Sequence, residues 1–172
     1  LVLSTLHTNS APESSVRLLD LGMDSFNFAD ALLGVLAERL TRRLCPACKS
    51  GYTPTPVELE ELAMQYCNET AIDVHKQTKA WSASHGGAHG KITLFRAHGC
   101  EHCDGTGYQG RIGLYELLVA DAATKRLLQS KAHAAEVASA AIAAGMRTLR
   151  QDGIEKVLQG VTDMQQVSAV CN

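Results

Sequence analysis

Apolar and polar positions along this chain follow two periods, and the switches between them mark out its elements. Leu1-Val2-Leu3-Ser4-Thr5-Leu6 is a nearly continuous apolar run, which predicts a buried strand over residues 1–8 ending in the polar turn His7-Thr8-Asn9. Ser10-Ala11-Pro12-Glu13 has the form of a capping box with proline in the first turn, so a helix is expected to begin there, with Val16, Leu18, Leu19 and Leu21 as its apolar face and Gly22 at its end. Phe28, Leu32, Val35, Leu36 and Leu40 recur at three- and four-residue steps. That spacing predicts one helix from about residue 25 to residue 44, with Arg39, Arg42 and Arg43 at the negative pole of its dipole.

Beyond residue 44 the pattern shortens. Thr55-Pro56-Val57-Glu58 opens a helix through about residue 66, and Ser82 to Gly90 reads as a loop of small residues. Ile92 to Arg96 and Arg111 to Val119 alternate as strands. The remainder is helical in pattern: a helix capped by Asp121, an alanine-rich one from residue 134 to 144 closed by Gly145, one over residues 153–159, and a short last one opened by Thr162-Asp163-Met164-Gln165. The fold class expected is α+β, predominantly helical.

Composition narrows this little. Apolar residues make up 45% and charged residues 20%, as in an ordinary globular chain, and a net charge of −2 gives no general attraction to nucleic acid. The three arginines at residues 39–43 form the one dense basic patch and read as a solvated helix face. There is no run of membrane-spanning length. The first residue is not methionine and the opening run is a buried-strand pattern, so the chain reads as a piece of a larger protein.

The cysteines change the picture. Cys45-Pro46-Ala47-Cys48 and Cys100-Glu101-His102-Cys103 are two CxxC turns, each able to present two sulfurs to one metal ion. Together they complete a tetrahedral thiolate shell with no open position, which is the pattern of structural Zn2+. Gly105 and Gly107 let the returning chain approach the metal. A redox dithiol is the alternative, but neither pair sits in the βαβ context that a thioredoxin-like motif requires. Cys67 and Cys171 read as buried apolar thiols. His98 and His102 flank the ligands and read as exposed. His85 and His89 lie four apart in the glycine loop, which is weak as a site. Gly86 to Lys91 imitates a phosphate loop but fails it, because His85 stands where the first glycine belongs, Ile92 follows the lysine, and a strand rather than a helix comes next. His7, at a strand's C-terminal edge among Thr5, Thr8 and Asn9, is a candidate ligand-facing residue, since open α/β sheets bind ligands there.

Three segments occur in the order of a known family: Leu3-Ser4-Thr5-Leu6-His7-Thr8-Asn9, Ala37 to Leu44 running into the first CxxC, and Gly99 through Glu116. Gly145-Met146-Arg147-Thr148-Leu149, Asp152-Gly153 and Gly160-Val161-Thr162 follow. The chain resembles the C-terminal part of the type II secretion and type IV pilus assembly ATPases, the secretion NTPases of the general secretory pathway protein E kind. Departures are Glu38 where the family usually has Gln, and Ser10 where it has Asp. The resemblance implies the C-terminal remnant of a RecA-like P-loop lobe over residues 1–44, a zinc subdomain over 45–107, and a strand with a helical tail over 108–172. It implies that His7 is a histidine-box residue on the γ-phosphate side, with Thr5 and Thr8 beside it. It implies that Cys45, Cys48, Cys100 and Cys103 hold Zn2+, and that ATP and Mg2+ bind the full-length protein. That protein would be a cytoplasmic homohexamer docked on inner-membrane secretion or pilus platform proteins, without nucleic acid as a partner. Walker A and Walker B would lie before residue 1, so the piece alone is expected to be inactive. The rival reading is a zinc-dependent protein-binding module of the J-protein kind, whose CxxCxGxG repeat occurs once, from Cys100 to Gly107.

Overall fold

A computed structural model describes residues 1–87 and 90–171. Ser10 opens α1 (Ala11–Asp20), its side chain accepting from the Glu13 amide, while the Glu13 carboxylate accepts from the Asn9 amide rather than from Ser10. α2 (Ser25–Ala31) follows, capped by Asp24, and then the expected long helix fails: Gly34–Leu44 is a strand, β1. The reason lies in its period. Val35, Ala37, Arg39 and Thr41 turn inward on every second residue, and Leu36 and Leu40 are left exposed on the other face. The three arginines therefore stand on a strand, and β1, not a helix, delivers Cys45.

The strand expected over residues 1–8 is absent as well. These residues carry no regular structure, and Leu1, Val2 and Leu3 are almost fully exposed. A lone strand has no ladder to satisfy its backbone groups, so sequence pattern alone does not make one.

β2 (Ser50–Tyr52) pairs antiparallel with β3 (Leu94–Arg96) in the register Ser50↔Arg96, Gly51↔Phe95, Tyr52↔Leu94. Between them lie α3 (Pro56–Cys67), with its full capping box at Thr55 and Glu58, and α4 (Val74–His85). α4 replaces residues 82–85 of the loop expected over residues 82–90, and of that loop Ala88 and His89 lie outside the described residues. β4 (Tyr108–Val119) pairs with β1. The pairing is antiparallel, since Cys45 donates to the Gly107 carbonyl near one end and Ala120 donates to the Leu33 carbonyl at the other. Then come α5 (Ala122–Gln129), α6 (Ala134–Ala143), α7 (Leu149–Leu158) and α8 (Met164–Val170). α7 begins earlier than expected. The cap of α8 is Asp163, while Thr162 donates its hydroxyl to the Arg42 carbonyl.

The chain divides into two compact units, residues 1–38 with 115–148, and residues 39–114 with 149–172. The first has a core of Ala11, Phe28, Ala29, Leu118, Leu128, Val137 and Ala141. The second is built on Tyr66, Trp81, Leu94, Leu114, Ile154, Val157 and Val167, with Tyr66 and Trp81 edge to face at 5.2 Å between ring centroids. Gly153 lets α7 and α8 approach closely: a Cβ there would stand 2.7 Å from the Val167 side chain.

Candidate functional site

The β2–β3 ladder explains how two cysteine pairs so far apart in sequence meet. Ser50 and Arg96 are paired, so the chain leaving Cys48 and the chain arriving at Cys100 run side by side. The first knuckle is a tight turn in which the Cys48 and Lys49 amides donate to the Cys45 carbonyl at 3.3 and 3.0 Å. The second is a 3-10 turn over Glu101–Cys103 closed by Asp104 in the left-handed region, after which the Gly105 amide returns to the Cys100 carbonyl at 2.9 Å. Gly107 has φ +77°, and a Cβ on it would lie 2.6 Å from the Ala97 Cβ, so the return past the knuckle admits no side chain.

The four sulfurs of Cys45, Cys48, Cys100 and Cys103 all lie within 4.8 Å of one another. The separations Cys45–Cys100, Cys48–Cys103 and Cys100–Cys103 are 4.0, 3.8 and 3.7 Å. A tetrahedron with metal–sulfur bonds of about 2.3 Å has edges of about 3.8 Å. The set fits Zn2+ on that ground. No disulfide links any of the six cysteines. The expected ligands are thus the ones the fold brings together, and the exposed His98 and His102 stay out of the group.

The sulfurs are also wired for negative charge. Gly99 donates its amide to Cys48 Sγ at 3.3 Å, and Cys100 and Gly107 donate theirs to Cys103 Sγ at 3.2 Å each. Burial pushes the Cys103 thiol up, but those two amides and the neighbouring thiols of Cys100 and Cys48 outweigh it and bring it down to about 6. Burial, and then the thiols of Cys48 and Cys103, push Cys100 up to about 12. Without a metal, one sulfur carries the charge and its neighbour keeps its proton.

The knuckles rest on the turn between α7 and α8. Lys49 Nζ donates to the Gly160 carbonyl at 2.6 Å and lies over the Phe95 ring at 4.5 Å. The Tyr108 hydroxyl donates to Asp163 Oδ2 at 2.7 Å, and the Arg42 guanidinium stacks on the Tyr108 ring at 4.2 Å while its Nε donates to Gln166. Burial, and after it the Asp163 carboxylate, raise the Tyr108 phenol above its usual value. Of the other candidates, Cys67 and Cys171 lie in the second unit's core, and His85 ends α4 with Nε2 at 3.6 Å from the Glu155 carboxylate. His89 lies outside the described residues, so the pair of histidines in the glycine loop rests on His85 alone.

His7 is exposed, as is Thr5, and Thr8 is half-buried. Thr8 Oγ1 donates to the Ser10 carbonyl at 3.3 Å and pairs with Ser14 Oγ. The residue that sequence reasoning missed is Glu116. It is 5% exposed, and its Oε1 accepts the Ala11 amide at 2.8 Å in a buried hydrogen bond. Its signal was present: on β4 it falls on the inward register between Leu114 and Leu118, where a carboxylate must find a donor.

Four cysteines positioned to hold a metal ion stand in a chain of mixed helix and sheet, and the chain's relatives make the class specific. The family model described as type II/IV secretion system protein matches residues 1–169, and the chain belongs to that family. It is 39% identical over 98% of its length to the type IV pilus assembly ATPase PilB of Thermus thermophilus, of which it covers 17%. It is 40% identical over 99% of its length to the type IV pilus assembly ATPase TfpB of Acinetobacter baylyi, covering 26%. With the type II secretion system protein E of Pseudomonas aeruginosa it shares 39% identity over 99% of its length, covering 29%. The chain thus spans less than a third of these relatives. Family membership takes the place of the J-protein reading, whose repeat occurs once here. Among the described residues no helix is long and apolar enough to cross a membrane.

Proposed function

We propose that these residues form part of a longer ATPase that powers type II protein secretion or type IV pilus assembly by hydrolysing ATP. The observation that carries this is the match over residues 1–169 to a family whose similar members are named as secretion and pilus assembly proteins, several of them as ATPases. In this reading residues 1–44 belong to a RecA-like lobe, and His7, with Thr5 and Thr8, lies on the γ-phosphate side of bound ATP. The full-length protein works as a cytoplasmic homohexamer against inner-membrane platform proteins.

Cys45, Cys48, Cys100 and Cys103 would hold Zn2+, which supplies cross-linking between the two knuckles and no open coordination position for chemistry. Amides of Gly99, Cys100 and Gly107 share the thiolate charge, and the Lys49 and Tyr108 contacts carry the knuckles' rigidity into the turn before α8. Phosphoryl transfer needs a phosphate cradle and Mg2+ ligands. Residues 1–172 contain no G-x-x-x-x-G-K-[ST] segment, and in the described part Gly86 and Gly87 follow a helix rather than open one. The chain by itself therefore does not turn over ATP. Steady-state phosphate release tests both halves of the proposal: activity from the full-length protein and none above buffer from residues 1–172. Turnover by the isolated chain, or an inert full-length protein at saturating Mg2+ and ATP, contradicts it.

A further inference from the structure

A carboxylate on the inward face of a strand is costly unless donors meet it, and Glu116 stands on β4 between Leu114 and Leu118, both fully buried. One donor that meets it is the Ala11 amide, at 2.8 Å. Ala11 is the first residue of α1, so its N–H is one of the orphan donors at the helix's positive end, where a negative charge is favoured. The chain just before that bond is held step by step. Ser10 caps the helix, Asn9 donates to Glu13, and Thr8 is tied to the Ser10 carbonyl and to Ser14. Ser14 Oγ in turn donates to the Ser10 carbonyl at 3.0 Å. His7 is the next residue upstream of this knot. The fastening of α1 to β4 thus fixes the downstream end of the segment that carries His7.

We propose that Glu116 is a positioning residue for His7: by fastening the N-terminus of α1 to β4, it holds the Thr8–Ser10 turn and aims the histidine at the nucleotide. The proposal rests on the reading of His7 given above. The contact that carries this role is the one to the helix start. Two consequences separate this from a merely structural role. Loss of the bond disturbs kcat, where the geometry at the γ-phosphate counts, more than the KM for ATP. It also adds nothing once His7 has been removed.

The test uses the full-length protein with His7→Gln, Glu116→Leu, Glu116→Asp, Glu116→Gln and the double variant His7→Gln/Glu116→Leu, each checked for a cooperative melt. Glu116→Leu is expected to lower kcat about tenfold or more, as misplacement of an aligned group does, with KM for ATP changed by less than about threefold. The double variant is expected to be no slower than His7→Gln. Glu116→Gln keeps an acceptor oxygen and retains most of the rate. Amide exchange of residues 11–14 is expected to quicken in Glu116→Leu. If Glu116→Leu fails to fold, Glu116→Asp decides, since its shorter side chain keeps the charge but does not reach Ala11, and the same kcat loss is expected. Wild-type kcat in a folded Glu116→Leu or Glu116→Asp, while His7→Gln is slow, overturns the role of Glu116 and leaves that of His7 standing. Wild-type kcat in His7→Gln overturns the reading of His7, and the positioning role falls with it.

Discussion

Cys103 and Cys100 show how far a backbone can sort chemically identical groups. Cys103 is raised by burial but lowered further by two amide donors and its neighbouring thiols, and is held at about 6, while burial and then the thiols around it push Cys100 to about 12. The ordinary value of either thiol is 9.0. Between about 6 and about 9 the folded metal-free chain has lost the Cys103 proton and the unfolded chain has not, so the unfolded state binds more protons and stability rises with pH. Above 9 Cys100 acts in the opposite sense. The carboxylates of Glu58 and Asp121, both held below their usual values by hydrogen bonds, have finished titrating before this window opens. With chelator present, the urea midpoint is expected to rise from about pH 6 to about pH 8.5, and Cys103→Ser to flatten that rise. A second residue-scale expectation concerns Tyr108. Tyr108→Phe removes the hydroxyl that Asp163 accepts and is expected to cost about 1 kcal/mol, read from urea unfolding.

At the scale of elements, Gly153 is the sharpest constraint. Its missing Cβ is what lets Val167 and Leu114 close in, so Gly153→Ala is expected to destabilise by about 1–3 kcal/mol through overpacking, despite alanine's better helix propensity. Thermal melting of the two proteins checks this. Three caps were legible in the sequence, because the side chains of Ser10, Thr55 and Asp121 each accept from an amide three residues on, whereas the last helix is capped by Asp163 one residue after the expected Thr162. Residues 34–44 were not. Val35, Leu36 and Leu40 satisfy a helical period, and only pairing with β4, a non-local event, selects the two-residue period that turns Val35, Ala37 and Thr41 inward instead, the first two half-buried and Thr41 buried. The opening apolar run shows the converse: a strand pattern without a neighbour to pair with stays irregular. Likewise α4 carries a buried Trp81 and runs on through residues 82–85, whose small side chains read as loop, since one large side chain inserted in the core outweighs several weak helix formers. The grouping of Cys45, Cys48, Cys100 and Cys103 was legible because a chelating set needs only two short turns. Glu116 could be placed on the inward register of its strand, but its partner could not be named, because Ala11 lies far away in sequence and nothing near it announces the bond.

At the scale of the molecule, the four-cysteine centre and the loop around His7 are separate pieces of equipment, one in each compact unit. The proposed motor uses the second for chemistry and the first for shape. Zn2+ binding and folding of residues 45–107 are expected to be linked, because the knuckles meet only when β2 and β3 pair. Trp81, the chain's one tryptophan, is buried in the same unit's core and reports on it. Chelation under mild denaturant is expected to shift its emission to the red, and added Zn2+ to restore it. The most direct measurement is elemental analysis with thiol counting on purified residues 1–172 under reducing conditions. One Zn2+ per chain, four thiols protected until the metal is stripped, and loss of metal in Cys103→Ser are the predicted results. A metal-free, folded chain whose CxxC pairs cycle between dithiol and disulfide would contradict the account.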